Sequence, residues 1–121
     1  MNAEEMKDRT KGFAISIARL TESIQDSTIN KPYKSQIIRA SSSVGANYRA
    51  ARRAKSKADF INKLKIVEEE LDESLFFLEL LLEFNKSIEN SIKEIYREGE
   101  TLLKIIVSTI VSVRNNRTSY N

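Results

Sequence analysis

At 121 residues, with three glycines and one proline, the chain reads as one domain with few places to turn. It contains no cysteine and no histidine, which excludes disulfides, thiolate chemistry, imidazole metal ligands and every Ser-His or Cys-His nucleophile pair. The net charge of +3 permits an anionic partner without requiring one.

From the N-terminus, residues 3–25 predict a first helix. Met6, Phe13, Ile17, Leu20 and Ile24 recur on one stripe, and the acidic Glu4 and Glu5 sit in the first turn, where the helix dipole favours them. Asp26 to Lys31 reads as a break, with Asn30 or Lys31 placed to cap a second helix opened by Pro32. That helix is expected over residues 32–53. Its stripe is Ile37, Ser41, Val44, Tyr48 and Ala51, with Ala40 alongside. Ser41, Ser42, Ser43, Gly45 and Ala46 include weak helix formers, and Gly45 alone costs roughly 1 kcal/mol against alanine. Close approach of a neighbouring helix is the expected compensation. Asn47 reads as an interior amide that bonds a facing backbone.

Ser56 with Asp59 predicts a capping box for a third helix over residues 57–84, roughly 28 residues and about 42 Å long. Phe60, Leu64, Val67, Leu71, Leu75, Leu78 and Leu82 form its stripe. From Leu75 to Phe84 only Glu79 and Glu83 are polar, so one partner face cannot cover the rest. Phe76, Phe77, Leu80, Leu81 and Phe84 are therefore the candidate oligomer interface. Asn85 to Ser87 is a turn, with Ser87 as the expected cap. A fourth helix follows over residues 88–113, with Ile88, Ile92, Ile95, Leu102, Ile106, Ile110 and Val113 on one stripe and Tyr96, Leu103, Val107 and Val111 on a second. Residues 114–121 have no periodicity and are expected to be a flexible tail.

Four amphipathic helices with short turns predict an all-α, antiparallel up-down-up-down four-helix bundle spanning residues 1–113. No run of about 18 apolar residues predicts a membrane span. No basic-then-apolar N-terminus predicts a secretion signal, so a cytoplasmic location is expected. The isolated Gly12, Gly45 and Gly99 form no phosphate loop. No catalytic residue, metal site or cofactor is expected.

Two charge clusters remain. Arg49, Arg52, Arg53, Lys55 and Lys57 group at the end of the second helix and in the connection after it. They are candidate phosphate contacts for RNA or another nucleic acid, with a solvated helix terminus as the alternative. Glu68 to Asp72 and Glu73 form an acidic run. Without histidine it lacks the Glu-x-x-His pairs of di-iron bundles. In an antiparallel hairpin closing near Lys55, Arg39 falls opposite about Leu71. That predicts a structural ion pair of Arg39 with Glu70 or Asp72.

The stretch Gln36-Ile-Ile-Arg-Ala-Ser-Ser-Ser-Val-Gly-Ala-Asn-Tyr-Arg-Ala-Ala-Arg52, with Ser56-Lys-Ala-Asp-Phe60 and Ile66-Val-Glu-Glu-Glu-Leu-Asp-Glu-Ser-Leu75, closely resembles the bacterial four helix bundle protein family, also called 23S ribosomal RNA intervening-sequence proteins. The resemblance covers nearly the whole chain. Many members read Asn-Ile-Ala-Glu-Gly where this chain reads Asn47-Tyr-Arg-Ala-Ala51, so any role of that acid does not carry over. The resemblance implies a ring-like homopentamer. It also implies similarity to the accessory variability protein of diversity-generating retroelements, which binds a reverse transcriptase and nucleic acid. With no His, Cys or phosphate loop and with the basic end of the second helix as contact surface, the chain reads as a non-enzymatic, homo-oligomeric scaffold or adaptor for RNA or a ribonucleoprotein. The alternative is a protein-binding adaptor, such as a reverse transcriptase accessory subunit, without direct nucleic-acid contact.

Overall fold

A computed structural model describes residues 1–116 of the chain. Among these residues it contains four long helices and no strand: α1 (Ala3–Glu22), α2 (Asn30–Ala51), α3 (Lys57–Phe84) and α4 (Glu89–Arg114), with a single 3-10 turn at Lys86–Ile88. Each helix packs on its neighbours in the cyclic order α1, α2, α3, α4, as an antiparallel bundle requires. None of the helices is long and apolar enough to cross a membrane.

The ends of the helices differ from the sequence expectation for local reasons. At the start of α1, Asn2 accepts the Glu5 N–H at 2.8 Å while its own amide donates to the Glu5 carboxylate at 2.8 Å, a reciprocal cap. α1 stops at Glu22 because the Ser23 N–H and hydroxyl both donate to the Leu20 carbonyl, which tightens the last turn. Ile24 lies beyond that stop yet stays buried. α2 begins two residues before Pro32, whose missing N–H is unneeded in a first turn. Neither Asn30 nor Lys31 caps it: Ser27 Oγ accepts the Asn30 N–H at 2.8 Å, and Asn30 is already inside the helix. α2 ends at Ala51, with Arg52 to Ala54 in turns that bond back to Tyr48, Ala50 and Ala51. Ser87 is no cap either; it lies within the 3-10 turn, and α4 starts without a side-chain cap. Arg114 belongs to α4, Asn115 and Asn116 form a turn, and the rest of the expected tail lies outside the described residues.

The core is one continuous cluster running the length of the bundle, built on Phe13, Ile17, Ile37, Val44, Phe60, Leu64, Leu71, Leu78, Ile92, Leu102 and Ile106. On α3 the stripe closes on Leu81, fully buried, rather than Leu82, which packs at the core margin. Leu81 is therefore a core residue and not part of an oligomer interface. The buried hydroxyls do not interrupt this packing. Thr10, Thr21 and Ser74 donate to carbonyls three or four residues back in their own helices, at 2.8, 2.7 and 2.8 Å. Asn47 behaves the same way, donating to the Ser43 carbonyl and hydroxyl rather than to a facing backbone.

Two of the glycines, Gly99 and Gly45, play different parts. A methyl group on Gly99 would come within 2.7 Å of Leu75 Cδ2 and 3.0 Å of Phe13 Cε1, so the absent side chain lets α4 lie close to both α1 and α3. Gly45 is buried against Thr10 of α1, but a methyl there would sit at an ordinary 3.6 Å. The close approach expected around Gly45 thus falls more strictly on Gly99.

Candidate nucleic-acid interface

Up-down topology places the start of α1, the end of α2, the start of α3 and the end of α4 at one end of the bundle. The five basic residues gathered by the sequence lie there. Arg49, Arg53 and Lys55 are exposed, and their side chains form no ion pair among the described residues. Arg52 is half-buried and occupied, its guanidinium lying 5.4 Å from the centre of the Phe60 ring. It also interacts with Tyr48, whose phenol is pushed above its usual range chiefly by burial, against the pull of Arg52. Lys57 reaches across to the Asn116 side-chain oxygen, joining the start of α3 to the turn after α4.

The connection that carries Lys55 is shaped by Asp59. Ser56 Oγ accepts the Asp59 N–H at 3.1 Å, and the Asp59 carboxylate accepts the Lys55 N–H at 3.1 Å and an ammonium bond from Lys63 at 3.2 Å. Those bonds hold the carboxyl below its usual range, the backbone bond from Lys55 first among them. The effect is to fold the Arg53–Lys55 segment back onto α3 with its cations facing outward.

Two shallow grooves of about 510 Å³ each flank the last two turns of α2. One, towards α1, is lined by Lys7, Lys11 and Arg49, by the carboxylates Glu4 and Asp8, and by the small Ser42, Gly45 and Ala46. The other, towards α3, is lined by Arg53, Lys55 and Lys63 with Asp59. Lys11 and Lys63 were not singled out by the basic run because they lie on other helices. Their signal in the sequence is that the start of α1 and the start of α3 must return to the end of α2.

Arg39 lies at mid-bundle and forms a fork: one guanidinium nitrogen donates to Glu70 at 2.8 Å and another to Glu73. Glu70 is largely covered and Arg39 half-exposed. Asp72 is not part of this contact. It is exposed, and its charge acts on Tyr96 of α4. Residues one turn apart, 70 and 73, share the face towards α2, whereas 72 is rotated off it. Tyr96 itself donates to Glu79 at 2.8 Å, and its phenol is pushed up to about 12, first by that hydrogen bond. Among the described residues no group of acidic side chains is placed to hold a metal ion.

The opposite end is closed by contacts that the sequence did not announce. Asn30 and Asn85 exchange amide hydrogen bonds at 3.0 and 2.8 Å, and each amide also reaches a carbonyl, of Gln25 and Leu81. Asn30 closes the α1–α2 connection and Asn85 opens the α3–α4 connection. Lys34 adds a second tie, donating to the Ile24 carbonyl at 2.6 Å and to Asp26 at 2.8 Å, which draws the Asp26 carboxyl below its usual range. Beside this end, Tyr33 packs between Phe77 and Phe84, both at 6.2 Å between ring centres, and Phe76 leans on Phe77 at 5.5 Å. Of the candidate interface residues, Phe76 and Phe84 are more than half exposed, and Phe77 and Leu80 are half-buried. A smaller apolar strip, Val107 and Val111, is exposed on α4.

A profile of the 23S rRNA-intervening sequence protein family matches residues 4–108. The chain belongs to that family. A solved crystal structure is similar along nearly its whole length: a protein of unknown function from the S23 ribosomal protein family of Bacteroides thetaiotaomicron. It is 33% identical, with a TM-score of 0.82 over 91% of this chain and 98% of that chain. No curated protein matches. The family thus accounts for the bundle and for its helix order.

Proposed function

We propose that this member of the 23S rRNA-intervening sequence protein family is a non-enzymatic, cytoplasmic scaffold or adaptor that binds RNA or another nucleic acid through its basic end, and that it assembles into a ring-like homopentamer. The observation that carries the reading is the state of Arg49, Arg53 and Lys55: exposed, clustered and in no ion pair among the described residues. Arg9 and Arg39, by contrast, are already paired, Arg9 with Glu98 at 3.0 and 2.5 Å and Arg39 with Glu70. Cations held outward in this way favour contact with a phosphate backbone and release of its counterions. Assembly is supported by the exposed Phe76 and Phe84 and by Val107 and Val111, more apolar surface than one bundle covers. A ring would repeat the basic end around its circumference and strengthen weak single contacts by avidity.

An anisotropy titration of a structured RNA at about 50 and about 200 mM salt, with the mass measured by light scattering, tests both parts. Binding that falls steeply with salt, from a species of about five chains, is the expected result. A second reading has its own observation in the aromatic patch of Tyr33, Phe76 and Phe84, at the end away from the cations. In that reading the chain is a protein-binding adaptor, such as a reverse transcriptase accessory subunit, and no RNA binds even at low salt.

A further inference from the structure

The basic end is not a single file of charge. Its cations come from three helices and line two grooves of equal size, about 510 Å³ each, on either side of the α2 ridge. Lys11 and Arg49 line the groove on the α1 side, and Arg53 and Lys63 the one on the α3 side. Packed helix axes lie ~8–10 Å apart, and α1 and α3 sit across the diagonal of the bundle, so their axes are on the order of 11–14 Å apart. Some of this charge is neutralised in place: Lys7 by Glu4 at 3.3 Å and Lys63 by Asp59 at 3.2 Å. Lys11, Arg49, Arg53 and Lys55 are not so paired among the described residues.

A reader of single strands needs something else, exposed rings on which unpaired bases stack. Among the described residues the rings near this end are inside the protein. Tyr48 is 5% exposed and Phe60 1%, with Arg52 already laid over Phe60. The exposed rings, Phe76 and Phe84, belong to the far end. The lining towards α1 includes the small Ser42, Gly45 and Ala46 and no ring, which lets a rigid backbone approach α2 closely.

We infer that the basic end takes double-helical nucleic acid, with the phosphates of its two strands lying in the two grooves and the α2 ridge between them. A double helix shows two lines of phosphate separated by a groove, about 12 Å wide in the major groove of B-form DNA, and so matches charge spread across two seams. A single strand shows one line and would leave one groove unused. Recognition here is by shape and phosphate, without reading of base edges. This inference rests on the nucleic-acid reading proposed above.

The test is a competition experiment on the full chain at one low salt concentration. The probes are an RNA duplex of about 20 base pairs, a DNA duplex of the same length, and an unpaired oligouridine matched in phosphate number. The expected result is that the duplexes compete at least about tenfold better than oligouridine. Lys11→Ala with Arg53→Ala, one change in each groove, should reduce that advantage to about threefold or less while leaving the helical circular dichroism unchanged. Oligouridine competing as well as or better than the duplexes overturns the inference but leaves the nucleic-acid reading standing. No binding by any probe overturns both.

Discussion

Where the α1–α2 and α3–α4 connections meet, polar side chains are spent on one another: Asn30 with Asn85, Lys34 with Asp26 and the Ile24 carbonyl. Where α2 turns into α3, the same kinds of residue mostly face water, and Asp59, the Arg52–Phe60 contact and the Lys57–Asn116 contact knit the chain together. Both ends must satisfy the free N–H and carbonyl groups of helix termini. One does so with amides and leaves rings exposed beside it; the other does so with one carboxylate and leaves cations exposed. The difference teaches at which end the polar groups are already occupied by the fold and at which they face water.

The sharpest way to break that contrast is charge reversal at the open end. Arg49→Glu, Arg53→Glu and Lys55→Glu together should weaken RNA binding by about 100-fold and lower the salt slope by about three, while changing stability by less than about 0.5 kcal/mol. Arg52 is left alone because its contact with Phe60 ties it to the core. Unchanged RNA affinity in anisotropy titrations would remove the basic end as the contact surface.

At the closed end the sign reverses: stability should fall and RNA affinity should not. Asn85→Ala deletes the exchange with Asn30 and the bond to Leu81, leaving the buried Asn30 amide short of a partner. A cost of about 2 kcal/mol in urea denaturation is expected. A double-mutant cycle with Asn30→Ala should recover a coupling of about 1 kcal/mol, since the second deletion removes the group that the first one orphaned. Additive losses would mean that the two amides do not act as a pair.

The contrast between space that folding uses and space it leaves recurs in the glycines. Gly99→Ala forces a methyl against Leu75 and the Phe13 ring, and should cost about 1 kcal/mol net after the better helix propensity of alanine is counted. Gly45→Ala meets Thr10 at an ordinary 3.6 Å and should stabilise the chain by about 0.5–1 kcal/mol. Thermal unfolding of the two variants should move in opposite directions.

Much of the bundle was legible because it follows from period and punctuation. The α3 stripe from Phe60 to Leu78 is buried along its whole length, and Ser56 with Asp59 marks where that helix begins. Arg39 could be placed against α3 by counting back from the hairpin, but a count gives a level and not a rotation. That is why Glu73 rather than Asp72 shares the fork with Glu70. Leu81 looked like surplus surface because a ten-residue apolar run hides which side faces in. The Asn30–Asn85 pair was out of reach because its partners are 55 residues apart and neither follows a periodic pattern. Likewise the basic run showed five cations within nine residues, whereas the two grooves draw Lys11 and Lys63 from other helices.

The smallest effect separates the two ends by pH and salt. Asp26 and Asp59 both have carboxyls held below their usual range, one at each end. For both, the unfolded chain takes up its proton first as the pH falls. The stability each contributes is therefore present above the unfolded value of about 4 and is lost as the pH drops through the lower folded value. Their causes differ. Asp26 is held by the Lys34 ammonium, from an exposed position, whereas Asp59 is held first by the Lys55 backbone N–H. A Debye length of about 3 Å at 1 M salt screens the former far more than the latter. Urea midpoints of Asp26→Asn and Asp59→Asn between about pH 2 and 6 should each show a flatter acid limb than the parent chain. In high salt the Asp26 difference should vanish and the Asp59 difference should persist, because a backbone bond that shapes the basic connection is not an ion pair. If both differences vanish together, the open end is held by charge alone, and its cations are part of the fold rather than free for a partner.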